Sequence, residues 1–191
     1  MKDTFKTIVF PRGDTVFDYY LDVERDYVFT PWSFKVPEFV YSKEMSYSEL
    51  LVPTADTTKY SNLLEILMLK QKPTFLTGYT GVGKSVIAQK LLFGLKENAS
   101  ISPIFLNFSA QTSSLETQLA IESKLNKKFR TVFGARPGEK IVIFIDDINM
   151  PALEVYGAQP PIELLRQYMD YDGFYDRQKL FMKTIEDTVL L

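Results

Sequence analysis

The stretch that most constrains the fold is Thr77–Ser85, which reads TGYTGVGKS. From Gly78 onward it fits the pattern G-x-x-x-x-G-K-[ST]. Pro73–Thr77 before it is predicted to be a short buried strand, and Ser85–Leu95 after it a helix with one apolar side. In this order the glycines let backbone N–H groups approach phosphate oxygens, and the helix N-terminus favours negative charge. A phosphate-binding loop (P-loop) is therefore predicted, with a chance Gly-rich strand–helix turn as the alternative.

The loop assigns particular chemistry to two side chains. Lys84 can reach the β- and γ-phosphates of a nucleotide, and the hydroxyl of Ser85 can ligate Mg²⁺. The predicted nucleotide-contacting residues are Gly78, Tyr79, Thr80, Gly81, Val82, Gly83, Lys84, Ser85 and Val86.

Composition excludes several other functions. With 191 residues, 46% of them hydrophobic, one domain plus an appendage is expected. The net charge of -2, with acidic and basic residues interleaved, argues against nucleic-acid binding. The chain has no cysteine and no histidine, so thiol chemistry, zinc sites of the Cys/His type and imidazole catalysis are excluded. No apolar run has the length of a signal peptide or a membrane span, so a soluble intracellular protein without membrane partners is expected.

Residues 1–50 are rich in Tyr, Phe, Val and Pro and differ in this composition from residues 51–191. They are predicted to be a β-rich N-terminal appendage rather than a second catalytic domain. Asp22–Asp26 is expected to turn a hairpin between apolar clusters. Trp32 is interpreted as an aromatic packed under a loop, with a stacking platform as the alternative. The apolar clusters of this segment are Ile8–Phe10, Val16–Leu21 and Tyr27–Phe29.

The next segment is predicted to form a helix over Thr57–Lys70, capped by Asp56 or Thr57 and ended by Pro73. Its expected apolar side consists of Leu63, Leu64, Ile66, Leu67 and Leu69.

After the P-loop helix, Pro103–Ser109 is predicted to be a second buried strand, and Ser113–Glu116 is a capping box for the helix that follows. Gly134–Gly138 is expected to be a loop. A 3.6-residue period makes core positions of Leu115, Leu119, Leu125 and Phe129. A basic end is formed by Lys124, Lys127, Lys128 and Arg130; these are interpreted as cations at a helix C-terminus, with phosphate or partner binding as the alternative.

A second chemical signal is Lys140–Asp147, a continuous apolar run that ends in two acids. Such a run suits a central parallel strand covered on both faces, and ligands collect at the carboxyl ends of these strands. Asp146 is therefore the predicted Mg²⁺ partner, and Asp147 is placed to orient or deprotonate an attacking water. The motif alone is weak, but it lies roughly 60 residues after a P-loop, which makes it specific.

The remaining chain is predicted to contain three features. Pro161 suits the first turn of a helix, Gly173–Asp176 is expected to be a turn, and Thr184–Leu191 is expected to be one strand.

These motifs resemble a dynein heavy chain, specifically the third AAA+ module of its motor ring. The resemblance spans the whole chain, and Asp147 with Asn149–Pro151 makes it closer to axonemal (ciliary) heavy chains than to the cytoplasmic one. The segments that carry it are Leu51–Thr57, Thr77–Ser85, Leu106–Thr112 and Phe144–Asp176.

The resemblance implies a fold, ligands and partners. The fold is an α/β P-loop NTPase three-layer αβα sandwich, here a partial AAA+ large subdomain, and the ligands are ATP or ADP with Mg²⁺. Val52 and Pro53 match the segment that packs on adenine, and plain packing is the alternative. The partners implied are neighbouring AAA+ modules of the same heavy chain and, through the full motor, intermediate and light chains and microtubules. The implied location is the cytoplasm and cytoskeleton, at the ciliary axoneme.

Two departures from the family pattern bear on activity. Asp147 is one methylene shorter than the usual Glu, and a catalytic group misplaced by about 1 Å costs roughly 10²-fold in rate. The sensor-1 residue, arginine finger and helical lid are expected to follow Leu191, so the chain alone is expected to turn over very slowly. A regulatory ATP-binding module of an axonemal dynein is the leading hypothesis. The alternatives are a self-standing ATPase that uses Asp147 and Lys84 in catalysis, and a structural fragment that binds nucleotide poorly.

Overall fold

A computed structural model describes residues 11–12, 15–25, 27–40, 51–98 and 101–191. The chain forms two compact units, residues 1–63 and residues 64–191. The predicted apolar cluster Ile8–Phe10 lies outside the described residues, as does Asp26 of the predicted hairpin turn. Among the described helices, none combines the length and apolar character that a membrane crossing requires.

The described part of the N-terminal unit contains a short hairpin. Strands β1 (Tyr19–Asp22) and β2 (Val28–Pro31) pair antiparallel, so the predicted chain reversal after Asp22 is present. Trp32 begins a 3-10 turn directly after β2, and only 6% of its surface is exposed. Its ring lies 4.9 Å from that of Tyr20. Trp32 is therefore a packed core residue of this unit, as its sequence context indicated.

Helix α1 spans Ala55–Leu69, and its start and buried side differ from those predicted. Thr54 precedes it, and the Thr54 hydroxyl accepts a hydrogen bond from the Thr57 backbone N–H at 3.2 Å, so neither Asp56 nor Thr57 is the cap. Gln71, with φ of 52°, reverses the chain before Pro73 is reached. The buried residues are Leu64 and Met68, while the other leucines and the isoleucine of the predicted side are exposed: Leu63, Ile66, Leu67 and Leu69.

A three-stranded parallel sheet forms the centre of the second unit. Its order is β3 (Ile101–Asn107), β6 (Lys140–Asp146), β9 (Thr188–Leu190), so β6 lies between two neighbours. The apolar run within β6 is buried on both faces because the strand is central, which confirms the prediction for Lys140–Asp147. The α/β class with a parallel sheet is likewise confirmed.

The predicted strand Pro73–Thr77 is wrong as a regular strand. The segment is extended, but its one backbone hydrogen bond to the sheet among the described residues joins Thr74 N–H to Leu190 O at 3.1 Å. Pro73 has no N–H to donate, and Phe75 is 70% exposed rather than buried. The segment therefore runs beside β9 and leads into the P-loop without a full ladder.

Helix α3 (Ser114–Glu122) has the predicted capping box but a different buried face. The Ser113 hydroxyl accepts from Glu116 N–H, and Glu116 accepts from Ser113 N–H. The helix buries Thr117, Gln118 and Ile121 instead of Leu115 and Leu119.

The prediction that the helical period continues to Phe129 is wrong. Helix α3 ends at Glu122, and the chain then enters strand β4 (Asn126–Phe129). Phe129 is 64% exposed, so it is not a core residue, whereas Leu125 packs partly buried against the core. Lys124 directly follows Ser123, the C-cap of α3, and so lies at the helix C-terminus as expected. The other three basic residues are not cations at a helix end, because Lys127 and Lys128 belong to β4 and Arg130 follows it.

A second sheet of four strands was not predicted. Its order is β4, β5 (Val132–Gly134), β8 (Met182–Glu186), β7 (Gly173–Tyr175), and only the β5–β8 pair is parallel. Gly134 belongs to β5 rather than to a loop, and Gly173–Tyr175 is a strand rather than a turn. Asp187, with φ of 57°, breaks the predicted strand Thr184–Leu191 into β8 and β9, which join different sheets.

A buried polar network fastens this second sheet to α3. The Lys183 ammonium lies 2.8 Å from Asp176 Oδ2 and 2.9 Å from Glu122 Oε2. Gln118 donates to Tyr175 O at 2.9 Å and to Glu122 Oε1 at 2.8 Å. Because α3 carries Gln118 and Glu122, its inward face can be polar without leaving a hydrogen-bonding group unpaired.

Helix α4 (Pro160–Tyr171) completes the unit and begins with Pro160 and Pro161, as the sequence indicated. It packs on α3 and β7. The apolar core that joins the sheets and helices consists of Ile104, Phe108, Ile121, Ala135, Ile141, Ile143, Leu165, Tyr168, Phe174, Ile185 and Leu190.

Candidate functional site

The P-loop adopts a conformation that depends on its glycines. Gly81 has φ of 78° and Gly83 has φ of 84°, which residues with a Cβ rarely adopt. Helix α2 (Lys84–Asn98) begins directly after the loop, and its first turn is closed by the bond from Ile87 N–H to Gly83 O at 3.0 Å. Ile87 and Leu92 anchor α2 in the core, which fixes the loop at the helix N-terminus. The predicted loop-to-helix geometry is therefore present.

Lys84 folds over the loop that precedes it. Its ammonium donates to Gly78 O at 3.0 Å and to Tyr79 O at 2.7 Å. A cation held inside the loop supplies the positive charge that phosphate oxygens require.

Asp146 and Ser85 meet although they lie far apart in the chain. The Ser85 hydroxyl donates to Asp146 Oδ1 at 2.8 Å. Asp146 is the last residue of the central strand β6, and its carbonyl accepts from Phe108 N–H at 3.0 Å, which keeps β3 and β6 in register to the strand end. The end of the central strand thus places the Asp146 carboxylate beside the first turn of α2.

Asp147 follows in a left-handed conformation, with φ of 54°. Its N–H donates to Asp146 Oδ1 at 3.1 Å, and its carbonyl accepts from Met150 N–H at 2.9 Å. Asp147 therefore begins a tight turn at the end of β6 and presents an exposed carboxylate there.

These elements surround a cavity of about 600 Å³. A volume of this size suits a nucleotide-sized ligand. Its wall combines apolar side chains with the P-loop and the strand-end acids: Phe75, Leu76, Thr77, Gly78, Thr80, Gly81, Lys84, Ser85, Phe144, Ile145, Asp146, Asp147, Ile148, Asn149 and Leu191.

The structure brings most of the predicted site residues to this wall, but not all of them. Those at the wall are Gly78, Thr80, Gly81, Lys84, Ser85, Asp146 and Asp147. The side chains of Tyr79, Val82 and Val86 are 89%, 57% and 44% exposed, so any contact they make with a ligand comes from the backbone or the rim. Gly83 serves the loop through its backbone. Val52 and Pro53 belong to the N-terminal unit, and their role toward adenine stays a prediction.

Sequence reasoning missed several wall residues. Asn149 belongs to the turn after β6, and Leu191 follows β9, whose chain is hydrogen-bonded to β6 through Ile145 N–H and Leu191 O at 2.9 Å. The polar residue three positions after Asp146 was a signal that could have found Asn149. Leu191 carried no such signal, because its position depends on which strand pairs with β6.

The arrangement fits a magnesium nucleotide. Carboxylate and hydroxyl oxygens are ligands that Mg²⁺ prefers, and the Ser85–Asp146 hydrogen bond holds one of each side by side. Lys84 and the backbone of the P-loop supply donors for phosphate oxygens. Both kinds of contact are available in the same cavity.

Comparison with known proteins points to a single family. Residues 39–191 match the family described as the P-loop containing dynein motor region. The chain is 53% identical to human dynein axonemal heavy chain 6 over 84% of its length, and 42% identical to human dynein axonemal heavy chain 1 over 93%. It is 41% identical, over 95% of its length, to a ciliary dynein beta chain of Tripneustes gratilla. In each case the chain spans about 4% of the relative's own length.

Proposed function

Because the chain belongs to the family of P-loop-containing dynein motor regions, we propose that it is an ATP-binding AAA+ module of an axonemal dynein heavy chain. The observation that carries the proposal is the 2.8 Å hydrogen bond between Ser85 and Asp146 in a cavity that Lys84 also lines. The place of the module, third in the motor ring, rests on the resemblance of its motifs.

The site residues have distinct roles in this proposal. The P-loop backbone and Lys84 hold the phosphates, and Ser85 with Asp146 holds Mg²⁺. When Mg²⁺ is bound, it would neutralise part of the negative charge of the phosphates. Val52 and Pro53 pack on the adenine ring.

We assign the module a regulatory role with slow hydrolysis or none. Asp147 occupies the position of the base that activates water, but its carboxylate lies one methylene closer to the backbone than that of a glutamate. A shift of about 1 Å in a reacting group costs roughly 10²-fold. Nucleotide is then held for long periods, and its presence alters the packing against neighbouring modules of the same heavy chain.

The proposal extends to partners and location through the longer motor. Intermediate and light chains and microtubules are contacted by other parts of such a heavy chain, at the axoneme and within the cytoskeleton. Of the three relatives described above, two carry "axonemal" and one carries "ciliary" in its name, which supports this location.

The decisive experiment is a thermal-shift titration of the chain with Mg·ATP and Mg·ADP. A ligand at a hundred times its Kd stabilises a protein by about 2.7 kcal/mol, which corresponds to several degrees for a domain of this size. Lys84→Ala should abolish the shift because the loop loses its cation.

Lys96→Ala is the matched control, since Lys96 lies in the last turn of the same helix, away from the cavity wall. It should keep the full shift. A wild-type chain that shows no shift with either nucleotide would contradict nucleotide binding and favour a structural fragment.

A second candidate is a self-standing ATPase, favoured by the exposed Asp147 carboxylate at the cavity wall beside Asp146. Turnover by the purified chain that disappears in Asp147→Asn would support it. Mg·ADP binding without turnover would leave the regulatory module as the better account.

A further inference from the structure

Gln159 binds the segment that follows the strand-end acids. Its side-chain amide nitrogen donates to Asn149 O at 3.2 Å and to Pro151 O at 2.6 Å. One half-buried side chain therefore ties two carbonyls of the turn after β6 to the start of α4.

The position of Gln159 at the N-cap of α4 makes this use unusual. An N-cap side chain ordinarily accepts a hydrogen bond from the first turn of its helix, and Gln159 makes no such bond. Pro160 and Pro161, the first two helical residues, have no N–H, so the helix start has fewer donors to satisfy. The side chain of Gln159 can therefore donate hydrogen bonds to the neighbouring turn instead of capping its own helix.

That turn needs support from its surroundings. Asp147 is in the left-handed region, which is unfavourable for a residue with a Cβ and persists where neighbouring contacts hold it. The turn's own bonds are Asp147 N–H to Asp146 Oδ1 at 3.1 Å and Met150 N–H to Asp147 O at 2.9 Å. Gln159 adds two bonds from outside the turn, at its far end.

The turn lines the cavity with Asp147, Ile148 and Asn149. Under the proposed function, Ser85 and Asp146 hold the metal, so the turn beyond Asp146 faces the terminal phosphate of a nucleoside triphosphate. The terminal phosphate is the group that a nucleoside diphosphate lacks.

We infer that Gln159 is a positioning residue that holds the turn after β6 at the cavity wall, so that the side-chain amide of Asn149 donates to the terminal phosphate and the site distinguishes a nucleoside triphosphate from a diphosphate. The inference rests on the proposed nucleotide site. Gln159 acts through the backbone of the turn and does not itself line the cavity.

The test compares the affinities of the chain for Mg·ATPγS and Mg·ADP by isothermal titration calorimetry. Gln159→Glu keeps the shape but replaces the donor by an acceptor facing two carbonyl oxygens, whereas Gln159→Lys keeps donors. Loss of a net hydrogen-bond contribution predicts that Gln159→Glu lowers the ratio of ATPγS to ADP affinity about fivefold. Gln159→Lys should restore much of this ratio.

Gln167→Glu is the control, since it makes the same change on α4 away from the nucleotide cavity. It should leave the ratio unchanged. Equal weakening of both nucleotides by Gln159→Glu, or no change in either, would overturn the inference while nucleotide binding itself stood.

Two other outcomes are also decisive. If the wild-type chain binds neither nucleotide, the proposed function fails and the positioning role fails with it. If far-UV circular dichroism shows that Gln159→Glu is unfolded, Gln159→Ala replaces it: a selective loss of ATPγS affinity supports the inference, and an unchanged ratio refutes it.

Discussion

The ammonium nitrogen of Lys183 lies 2.8 Å from Oδ2 of Asp176, and this ion pair fastens β8 to the loop that follows β7. Lys183 is 9% exposed, and its second carboxylate partner, Glu122, belongs to α3. Burial alone would lower the pKa of Lys183, but hydrogen bonds to Asp176 and Glu122 outweigh it and raise the pKa. The lysine therefore stays charged at neutral pH and holds three elements together.

Acidification should weaken this fastening through Asp176. Hydrogen bonds from Lys179 N–H and from Lys183 lower the pKa of Asp176 to about 2, below the value of about 3.9 for an unfolded chain. Its contribution to stability is thus complete above about pH 4 and is lost as the pH falls through about 2. Urea unfolding of the wild type and Asp176→Asn should show a stability difference that shrinks between pH 5 and pH 2. Asp170→Asn, which removes an exposed carboxylate of α4 outside this network, is the matched control.

Phe174 should be among the residues most sensitive to truncation. Its side chain is fully buried in the core cluster, so Phe174→Ala leaves a cavity and lowers the free energy of unfolding by about 4 kcal/mol. Phe129, which is 64% exposed on β4, provides the comparison. Chemical denaturation of Phe129→Ala should give a change within about 0.5 kcal/mol. Equal effects of the two substitutions would contradict the assignment of Phe174 to the core.

Two glycines should respond in opposite directions to alanine. A Cβ at Gly173 would lie 1.9 Å from Lys183 O, so Gly173→Ala must separate β7 from β8 and destabilise the chain by about 2 kcal/mol or more. A Cβ at Gly94, within α2, meets no atom within 4 Å. Gly94→Ala should raise stability by about 0.5–1 kcal/mol because alanine favours the helix. Thermal unfolding midpoints of the two variants measure both effects, and a stable Gly173→Ala variant would count against the β7–β8 pairing.

Asp147→Glu tests the reach of the carboxylate in the proposed site. The added methylene moves the carboxylate outward from the turn, and recovery of about 1 Å of reach is expected to raise hydrolysis by up to roughly 10²-fold. Mg·ADP affinity should not change, since the role proposed for Asp147 is toward the attacking water and not toward the bound nucleotide. Single-turnover hydrolysis and calorimetry separate the two quantities. A variant with unchanged hydrolysis would argue that the length of the side chain is not what limits turnover.

The placement of the P-loop and of the acids at the end of β6 could be predicted from sequence because each part is local. The P-loop glycines set backbone angles within a few residues, and the apolar run of β6 requires burial on both faces wherever it lies. Ser85 and Asp146 then meet because β6 ends at the edge of the sheet where the P-loop and the start of α2 lie.

The second sheet could not be predicted, because its order depends on pairing between distant segments. β5 lies beside β8 although β6, α4 and β7 come between them in the chain, and neither strand's sequence alternates apolar with polar residues. The polar inner face of α3 could not be predicted from sequence for a related reason. Gln118 can be buried because Tyr175 O and Arg177 come from another part of the chain to bond it, and periodicity carries no information about such partners.

Asp187 is the single residue that connects the four-stranded sheet to the parallel sheet. β8 ends at Glu186 in the four-stranded sheet, and β9 begins at Thr188 in the parallel sheet and leads to Leu191 at the cavity wall. A connection of one residue allows little relative movement of the two strands. Lys128 of β4 also forms an ion pair with the Asp187 carboxylate. A displacement of the four-stranded sheet should therefore move β9 and, with it, Leu191 at the cavity wall.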